Sequence, residues 1–262
     1  MDNFNVYKDI QARTKGEIYI GVVGPVRTGK STFIKRFMEL AVLPAMEDES
    51  LKAVSTDELP QSAGGKTVMT TEPKFIPKEA VQITLGDGIQ AKVRLIDCVG
   101  YMVDGAAGHV ENGEERMVKT PWSEKEIPFT QAAQIGTRKV IGDHSTIGIV
   151  VTTDGSVGEL KRSAYIDAEK QTVDELKKLG KPFILLLNST KPYSDETLKL
   201  AEQLAADYGV TVLPVSCEQL KKRRYFPYSG KCFKKNFLLR NWIFIFPNGW
   251  KSFRLPTGLK PR

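Results

Sequence analysis

The feature that most constrains the fold is a glycine-bearing loop between a predicted strand and a predicted helix. Residues 17–23 (EIYIGVV) form a β-branched apolar run that predicts a buried strand. Residues 24–31 (GPVRTGKS) fit the spacing GxxxxGK[ST], and residues 31–43 (STFIKRFMELAVL) carry apolar side chains at helical spacing until Pro44. A glycine turn that opens a helix lets backbone N–H groups surround phosphate oxygens. The pattern therefore predicts a binding site for the phosphates of a nucleoside triphosphate.

Each residue type in this loop has an expected role. Lys30 can reach the β- and γ-phosphate oxygens, and the Ser31 hydroxyl can ligate Mg²⁺. The helix N-terminus adds the positive end of a dipole. We expect the nucleotide to be held by the loop and the start of the helix: Gly24, Pro25, Val26, Arg27, Thr28, Gly29, Lys30, Ser31 and Thr32.

A second phosphate-facing segment follows the predicted strand 90–97 (QAKVRLID). Asp97 ends this strand level with the phosphate loop, where a carboxylate can hold Mg²⁺ through water, although an Asx-turn is the alternative. Gly100, three residues later, lets its N–H approach the γ-phosphate. Tyr101 stands where many such enzymes have a water-orienting glutamine. Intrinsic hydrolysis is therefore expected to be slow, or to use another group.

Threonines between these two segments are candidate sensors of the γ-phosphate. Residues 47–75 are polar and predict a long mobile loop, which contains Thr70 and Thr71. A threonine in such a loop can close over Mg²⁺ and the γ-phosphate, although an ordinary polar loop has the same composition. The candidate catalytic residues are Lys30, Thr70, Thr71 and Asp97, and the candidate metal ligands are Ser31 and Asp97.

The segment after the predicted strand 183–187 (FILLL) bears on the choice of base. Guanine-specific proteins of this topology show NKxD there, but this chain has Asn188-Ser-Thr-Lys191. Without the carboxylate, guanine loses its discriminating contacts, which favours ATP over GTP. Asn188 can still support the loop. A regulatory GTPase-like switch and a phosphotransferase are the alternatives, but no acceptor-pocket pattern supports the second.

The remaining patterns predict an α/β fold, a P-loop NTPase whose mostly parallel sheet is flanked by helices. Residues 79–86 and 90–97 predict a hairpin around Gly86-Asp87-Gly88, and residues 99–130 predict an irregular stretch. Further predicted elements alternate along the chain: helix 131–142, strand 147–152, helix 159–180, strand 183–187, helix 194–208 and strand 210–215.

Cysteine usage and hydropathy point to a reducing compartment. Cys98, Cys217 and Cys232 form no CxxC pair, which argues against a disulfide framework or a zinc site. The first residues lack the pattern of a signal peptide, and no apolar run approaches the roughly 20 residues of a membrane span. These features predict a cytoplasmic protein.

Charge divides the chain into two expected parts. The net charge is +7, yet residues 221–262 hold 12 Lys and Arg and no Asp or Glu, so residues 1–220 have a net charge of −5. We expect a P-loop ATPase domain over 1–220 and an irregular, poorly structured basic tail over 221–262. If the tail is genuine, its run 237–246 (FLLRNWIFIF) suggests an arm for an anionic membrane or, less well supported, for nucleic acid.

Residues 1–220 resemble the N-terminal ATPase domain of the stage IV sporulation protein A family, within the translation-factor-like class of P-loop NTPases. Members of that family belong to the basement layer of the spore coat in endospore-forming bacteria. The resemblance rests on five segments: 1–10 (MDNFNVYKDI), 16–44 (GEIYIGVVGPVRTGKSTFIKRFMELAVLP), 61–77 (QSAGGKTVMTTEPKFIP), 95–106 (LIDCVGYMVDGA) and 185–192 (LLLNSTKP).

The resemblance implies a cytoskeletal type of protein that binds and hydrolyses ATP with Mg²⁺. It implies polymerisation with itself on the mother-cell side of the forespore outer membrane. It also implies docking to a small amphipathic membrane-anchoring peptide, and hence indirect membrane contact, and recruitment of coat proteins; no nucleic-acid partner is expected. By motif match, Lys30 and Ser31 would hold phosphate and Mg²⁺, Asp97 Mg²⁺, and Thr70 or Thr71 the γ-phosphate.

The resemblance ends near Leu220. Family members are longer, with two further domains, and continue there with an acidic helical stretch. A one-nucleotide shift through GAA and GAT codons gives AGA and TAT, which encode Arg and Tyr as in residues 223–225. We therefore interpret the tail as a frameshifted reading, and we expect this chain to bind ATP without building the coat.

The sensor assignment predicts that Thr70→Ala or Thr71→Ala spares nucleotide binding and slows hydrolysis, because the contact forms only around the γ-phosphate. Titration calorimetry and release of inorganic phosphate would measure the two effects separately. Normal turnover in both variants would contradict the assignment.

Overall fold

A computed structural model shows a central β-sheet with helices on both faces. It describes residues 16–60, 72–84, 90–106, 108–111 and 113–220. Thr70, Thr71, the predicted turn at 86–88 and the tail 221–262 lie outside the described residues, so their assignments stay predictions.

The described strands are numbered in chain order. They are β1 Glu17–Val23, β2 Lys74–Thr84, β3 Gln90–Asp97, β4 Val110–Glu111, β5 Glu114–Glu115, β6 Met117–Thr120, β7 Ser123–Pro128, β8 Ile147–Thr153, β9 Phe183–Asn188 and β10 Val212–Val215. The α-helices are α1 Lys30–Phe37, α2 Glu49–Asp57, α3 Phe129–Lys139, α4 Ile166–Lys178 and α5 Asp195–Tyr208.

The main sheet has the order β10–β9–β8–β1–β3–β2. All neighbouring pairs are parallel except β2, which runs antiparallel to β3 at one edge. This arrangement confirms the predicted mostly parallel sheet. Because parallel strands end at a common edge, the loops after β1, β3, β8, β9 and β10 converge there, where ligands bind in open α/β sheets.

The two faces of the sheet bury separate apolar clusters. Ile20 and Val22 of β1 pack in the cluster that includes Phe33 and Ile34 of α1. Val23 points to the other face, in the cluster that includes Val140 and Ile141 of the turn after α3 and residues of α4 and α5. Each such large side chain contributes about 1.5–3 kcal/mol by burial. The clusters fix α1, and with it the loop before α1, against the sheet.

The pairing of β2 with β3 confirms the predicted antiparallel pair, with a different start. The alternating pattern predicted a strand from residue 79, whereas β2 begins at Lys74. The register shifts between Ile76 and Val81. Pro77 lies in this interval and has no N–H to donate to a ladder, which explains why alternation was visible only beyond it.

Two segments predicted to be irregular contain regular structure. Within 47–75, helix α2 is capped by Asp48, whose Oδ1 accepts from the backbone N of Ser50 at 2.8 Å and of Leu51 at 3.1 Å. Of the residues in α2, only Ser55 is buried, so the helix has no apolar stripe to reveal it. Within 99–130, two small antiparallel pairs form, β4–β5 and β6–β7.

The predicted helices occur, with shifted ends. After α1, the segment continues as a π-helical turn at Met38–Val42 and a 3₁₀ turn at Leu43–Ala45. The helix predicted over 131–142 is α3 followed by a π-helical turn at Val140–His144. The helix predicted over 159–180 is a 3₁₀ turn at Arg162–Tyr165 followed by α4.

Helix α5 has a cap at each end. The Ser194 Oγ accepts from the Thr197 backbone N at 3.3 Å, which satisfies one of the free N–H groups of the first turn. Gly209 ends the helix with a φ of 61°, a conformation that costs glycine little.

A buried ion pair ties α4 to the end of β8. The Arg162 guanidinium contacts both carboxylate oxygens of Glu169, at 2.5 and 2.7 Å, and Glu169 is fully buried. The same guanidinium donates to Thr152 Oγ1 at 3.0 Å. The Tyr208 hydroxyl donates to Glu169 Oε1 at 2.8 Å, which brings α5 into the network.

We expect Arg162→Met to lower the free energy of unfolding by about 3–5 kcal/mol, because it leaves the buried Glu169 carboxylate without its counter-charge. Urea unfolding would measure the loss. Lys52→Met is the control, because Lys52 pairs with Glu49 on the exposed surface of α2 and should change stability by less than about 1 kcal/mol. Equal losses in both variants would contradict the assignment.

Candidate nucleotide-binding site

The predicted phosphate loop runs from the end of β1 to the start of α1 and is largely buried. Its glycine at 29 has a φ of 94°, and a Cβ there would collide with the side-chain amide of Asn188. Arg27 has a φ of 61°, unlike every other non-glycine residue among those the structure describes. Such left-handed backbone costs about 1–3 kcal/mol and concentrates at functional sites.

The Lys30 side chain packs against the phosphate loop. Its ammonium Nζ donates to the carbonyl O of Pro25 at 2.5 Å and lies 3.4 Å from the carbonyl O of Gly24. Thr28 Oγ1 donates to the same Pro25 carbonyl at 3.0 Å. The side chain is 5% exposed. Burial lowers the pKa of Lys30, against the opposing effects of Cys98 and Asp97. Phosphate oxygens would offer this buried cation anionic partners in place of carbonyls.

Ser31 and Asp97 meet beside Lys30. The Ser31 hydroxyl donates to Asp97 Oδ2 at 2.9 Å. Asp97 Oδ1 is shielded from solvent and makes no hydrogen bond within the part of the chain that the structure describes. Burial raises the pKa of Asp97, and the Ser31 hydrogen bond and the Lys30 charge oppose it. A hard cation such as Mg²⁺ prefers oxygen ligands of these two kinds, so the donor set fits the predicted metal.

Gly100 and Tyr101 are joined to the phosphate loop by backbone hydrogen bonds. The Val26 N–H donates to the Tyr101 carbonyl at 2.9 Å, and the Tyr101 N–H to the Gly24 carbonyl at 3.3 Å. A Cβ on Gly100 would collide with the Gly24 carbonyl and approach Lys30 Nζ. Gly100 therefore lies where its N–H can reach a γ-phosphate held by Lys30.

Tyr101 does not act as a substitute for glutamine. Its side chain is 1% exposed, and its hydroxyl donates to the Glu175 carboxylate of α4. Nearby, burial raises the pKa of the Cys98 thiol to about 11, so this cysteine is not a nucleophile. The interaction between Tyr101 and Glu175 was not predicted from the sequence.

Asn188 connects the phosphate loop to the loop after β10. Its Nδ2 donates to the Thr28 carbonyl at 2.9 Å, and its Oδ1 accepts from the Cys217 backbone N at 2.9 Å. Lys191, at the position of the missing carboxylate, is exposed, and its backbone N donates to Ser189 Oγ at 3.0 Å. Asn188 thus supports the loop, as the sequence suggested.

The structure brings most predicted site residues together at one edge of the sheet. Gly24 to Gly29 form the loop after β1, and Lys30 to Thr32 begin α1. Asp97 and Asn188 are the last residues of β3 and β9, and Gly100 lies in the loop after β3. Thr70 and Thr71 lie outside the described residues and remain predicted sensors.

A phosphate loop between a parallel strand and a helix, with a serine–aspartate pair beside its lysine, defines the class of P-loop nucleotide-binding proteins. The family model described as "Stage IV sporulation protein A, ATPase domain" matches residues 1–226. The chain belongs to this family of sporulation proteins.

Two relatives show how far the similarity extends. Stage IV sporulation protein A of Bacillus subtilis (strain 168) is 49% identical over 257 residues, which is 95% of this chain and 52% of the relative. The protein of the same name from Clostridioides difficile (strain 630) is 53% identical over 220 residues, or 84% of this chain and 45% of the relative. The chain therefore spans about half the length of the relatives it matches.

Solved structures are similar only at a distance. A variant of SsGBP matches with a TM-score of 0.42 and 15% identity, over 81% of this chain and 53% of that one. A dimerization-deficient mutant of Toc33 from Arabidopsis thaliana matches with a TM-score of 0.38 and 14% identity, over 79% and 73%. Among the residues described, no helix has the length and apolar character to cross a membrane.

We expect Lys30→Ala to weaken nucleotide binding by about 100-fold, because it removes the buried cation that would face the phosphates. Titration calorimetry with Mg²⁺ would measure the affinity. Lys35→Ala, on the same helix but away from the site, should bind as the wild type does. Unchanged affinity in a folded Lys30 variant would refute the phosphate site.

Proposed function

We propose that this chain binds ATP with Mg²⁺ and hydrolyses it to ADP and phosphate. The observation that carries the proposal is the Ser31–Asp97 pair beside buried Lys30, with Asp97 Oδ1 lacking a hydrogen bond to any residue that the structure describes. An unpaired buried carboxylate oxygen is costly, and binding a hydrated cation would remove that cost.

The roles of the residues follow from their positions. Lys30 faces the β- and γ-oxygens, and the Gly100 N–H donates to the γ-phosphate. Ser31 and Asp97 would hold Mg²⁺, which would supply charge neutralisation. Water attacks the γ-phosphorus as its bond to the β,γ-bridging oxygen breaks. With the Tyr101 hydroxyl bound to Glu175, the side chain at that position does not orient the water, which supports slow hydrolysis. We further propose, from family membership, that hydrolysis is coupled to polymerisation.

The proposed preference for ATP over GTP rests on the lack of a carboxylate that is free to accept from guanine. Lys191 replaces the aspartate that would accept from guanine. The neighbouring Asp154 does not substitute for it, because its oxygens already have partners. Its Oδ1 accepts from the backbone N and the hydroxyl of Ser156, at 2.9 and 2.6 Å, and its Oδ2 from Thr197 Oγ1 at 3.2 Å.

We expect ATP to bind more tightly than GTP in titration calorimetry with Mg²⁺. Lys191→Asp should shift the ratio toward GTP by about 10-fold or more, because an aspartate at this position can accept from both guanine donors. Lys199→Asp makes the same charge change on α5, and the ratio should stay as in the wild type. Tighter GTP binding by the wild type would favour the regulatory GTPase-like switch instead.

A product assay separates hydrolysis from phosphate transfer. We expect free phosphate and ADP from ATP, with no phosphorylated acceptor. A phosphorylated small molecule or protein would support the phosphotransferase alternative.

At the cellular level, we propose that this sporulation protein is a self-assembling structural ATPase of the spore coat basement layer. In this proposal it lies in the cytoplasm on the mother-cell side of the forespore outer membrane. Its partners are further copies of itself, a small amphipathic membrane-anchoring peptide and coat proteins, with indirect membrane contact and no nucleic acid. Membership in the sporulation family supports this proposal.

A further inference from the structure

Tyr101 belongs to both the loop near the γ-phosphate and the hydrophobic core. Its backbone is hydrogen-bonded to Gly24 and Val26 of the phosphate loop. Its ring is buried in the apolar cluster to which α4 and α5 contribute, so it has little freedom to move. Because Gly100 precedes Tyr101 directly, the position of this ring sets the position of the Gly100 N–H.

The Tyr101 hydroxyl leads to a charged pair between two helices. It donates to Oε2 of Glu175 on α4, and Glu175 Oε1 accepts from Nε of Arg138 on α3 at 3.1 Å. Burial and the neighbouring Glu175 raise the pKa of Tyr101, so the hydroxyl remains a donor across the accessible pH range. The Arg138 side chain is 58% exposed and that of Glu175 22%. A chain of contacts therefore runs from Gly100 to the molecular surface.

The crowding around Gly100 makes its position critical. A Cβ at this residue would collide with the Gly24 carbonyl and approach Lys30 Nζ. The loop therefore packs against Gly100 on the side where a Cβ would stand, and a shift of Gly100 away from the loop would lengthen the contact to a phosphate. Hydrogen bonds to charged groups weaken steeply with poorer geometry.

We propose that Glu175, supported by Arg138, is a positioning residue for the γ-phosphate, which acts by holding Tyr101 and thereby the Gly100 N–H. This inference rests on the proposed nucleotide-binding function. It assigns the residues that let the protein distinguish a triphosphate from a diphosphate, because only the triphosphate has the group that Gly100 contacts. By linkage, γ-phosphate binding in turn stabilises the Arg138–Glu175 contact at the surface between α3 and α4.

The test compares the affinities for ADP and for a non-hydrolysable ATP analogue, both with Mg²⁺, by titration calorimetry. Tyr101→Phe and Glu175→Leu should each weaken binding of the analogue by about 10-fold, which corresponds to one charge-assisted hydrogen bond. Binding of ADP should stay within about twofold of the wild type. Glu175→Gln should restore most of the discrimination, because its amide oxygen still accepts from the Tyr101 hydroxyl.

A matched control is available at a second glutamate of α4. Tyr208 also donates its hydroxyl to a glutamate of α4, Glu169, which is likewise paired with an arginine. Tyr208→Phe removes the same chemical group without touching the Gly100 loop. It should leave the ratio of analogue to ADP affinity unchanged, although it lowers stability.

Three outcomes would overturn the inference, and they are distinguishable. If the wild type binds neither nucleotide, the proposed function fails, and this inference with it. If the wild type binds both but Tyr101→Phe and Glu175→Leu keep the wild-type ratio, only the inference fails. If Tyr208→Phe shifts the ratio as much as Tyr101→Phe, the effect is a general loosening of α4. Urea unfolding checks that each variant is folded. If Tyr101→Phe does not fold, the affinity ratio of Glu175→Leu decides the test.

Discussion

The hydrogen bond between Ser31 and Asp97 depends on the parallel pairing of β1 with β3. In that pairing Val22 lies opposite Asp97, so the carboxylate is level with the phosphate loop that follows β1. A slip of one residue in the register would turn Asp97 to the opposite face of the sheet. The apolar residues of the strands fix the register because each face buries its own cluster. The site is therefore a consequence of how the core packs.

The sequence predicted those parts of the site that local patterns define. Gly24 to Ser31 follow β1, Asp97 and Asn188 end β3 and β9, and Gly100 lies three residues beyond β3, so strand prediction alone places them at one edge. Helix α2 was missed because almost all of its surface is exposed, and a helix without an apolar stripe has no periodic signal. The short strands β4 to β7 were missed for a similar reason, because they lie mostly at the surface.

Contacts between residues that are distant along the chain could not be predicted from the sequence. Tyr101 and Glu175 are 74 positions apart, and Arg162 lies in a turn that was predicted as helix. Along α4 the two glutamates at 169 and 175 look alike, as acidic residues on an amphipathic helix. Only the fold shows that one is fully buried and joins α4 to β8 and α5, while the other joins α4 to Tyr101 in the loop after β3.

Asn188 and Lys191 lie three positions apart but differ in how much the fold depends on them. Its two side-chain hydrogen bonds join the phosphate loop to the loop after β10, so this residue is needed for the architecture whichever base is bound. Lys191, three positions later, is exposed, and it contributes its backbone N–H, which donates to Ser189, and its carbonyl, which accepts from the Ser194 N–H. An exposed side chain of this kind can be replaced with little effect on folding. If this position contacts the base, as proposed, one exposed substitution would change the preferred nucleotide and leave the phosphate loop intact.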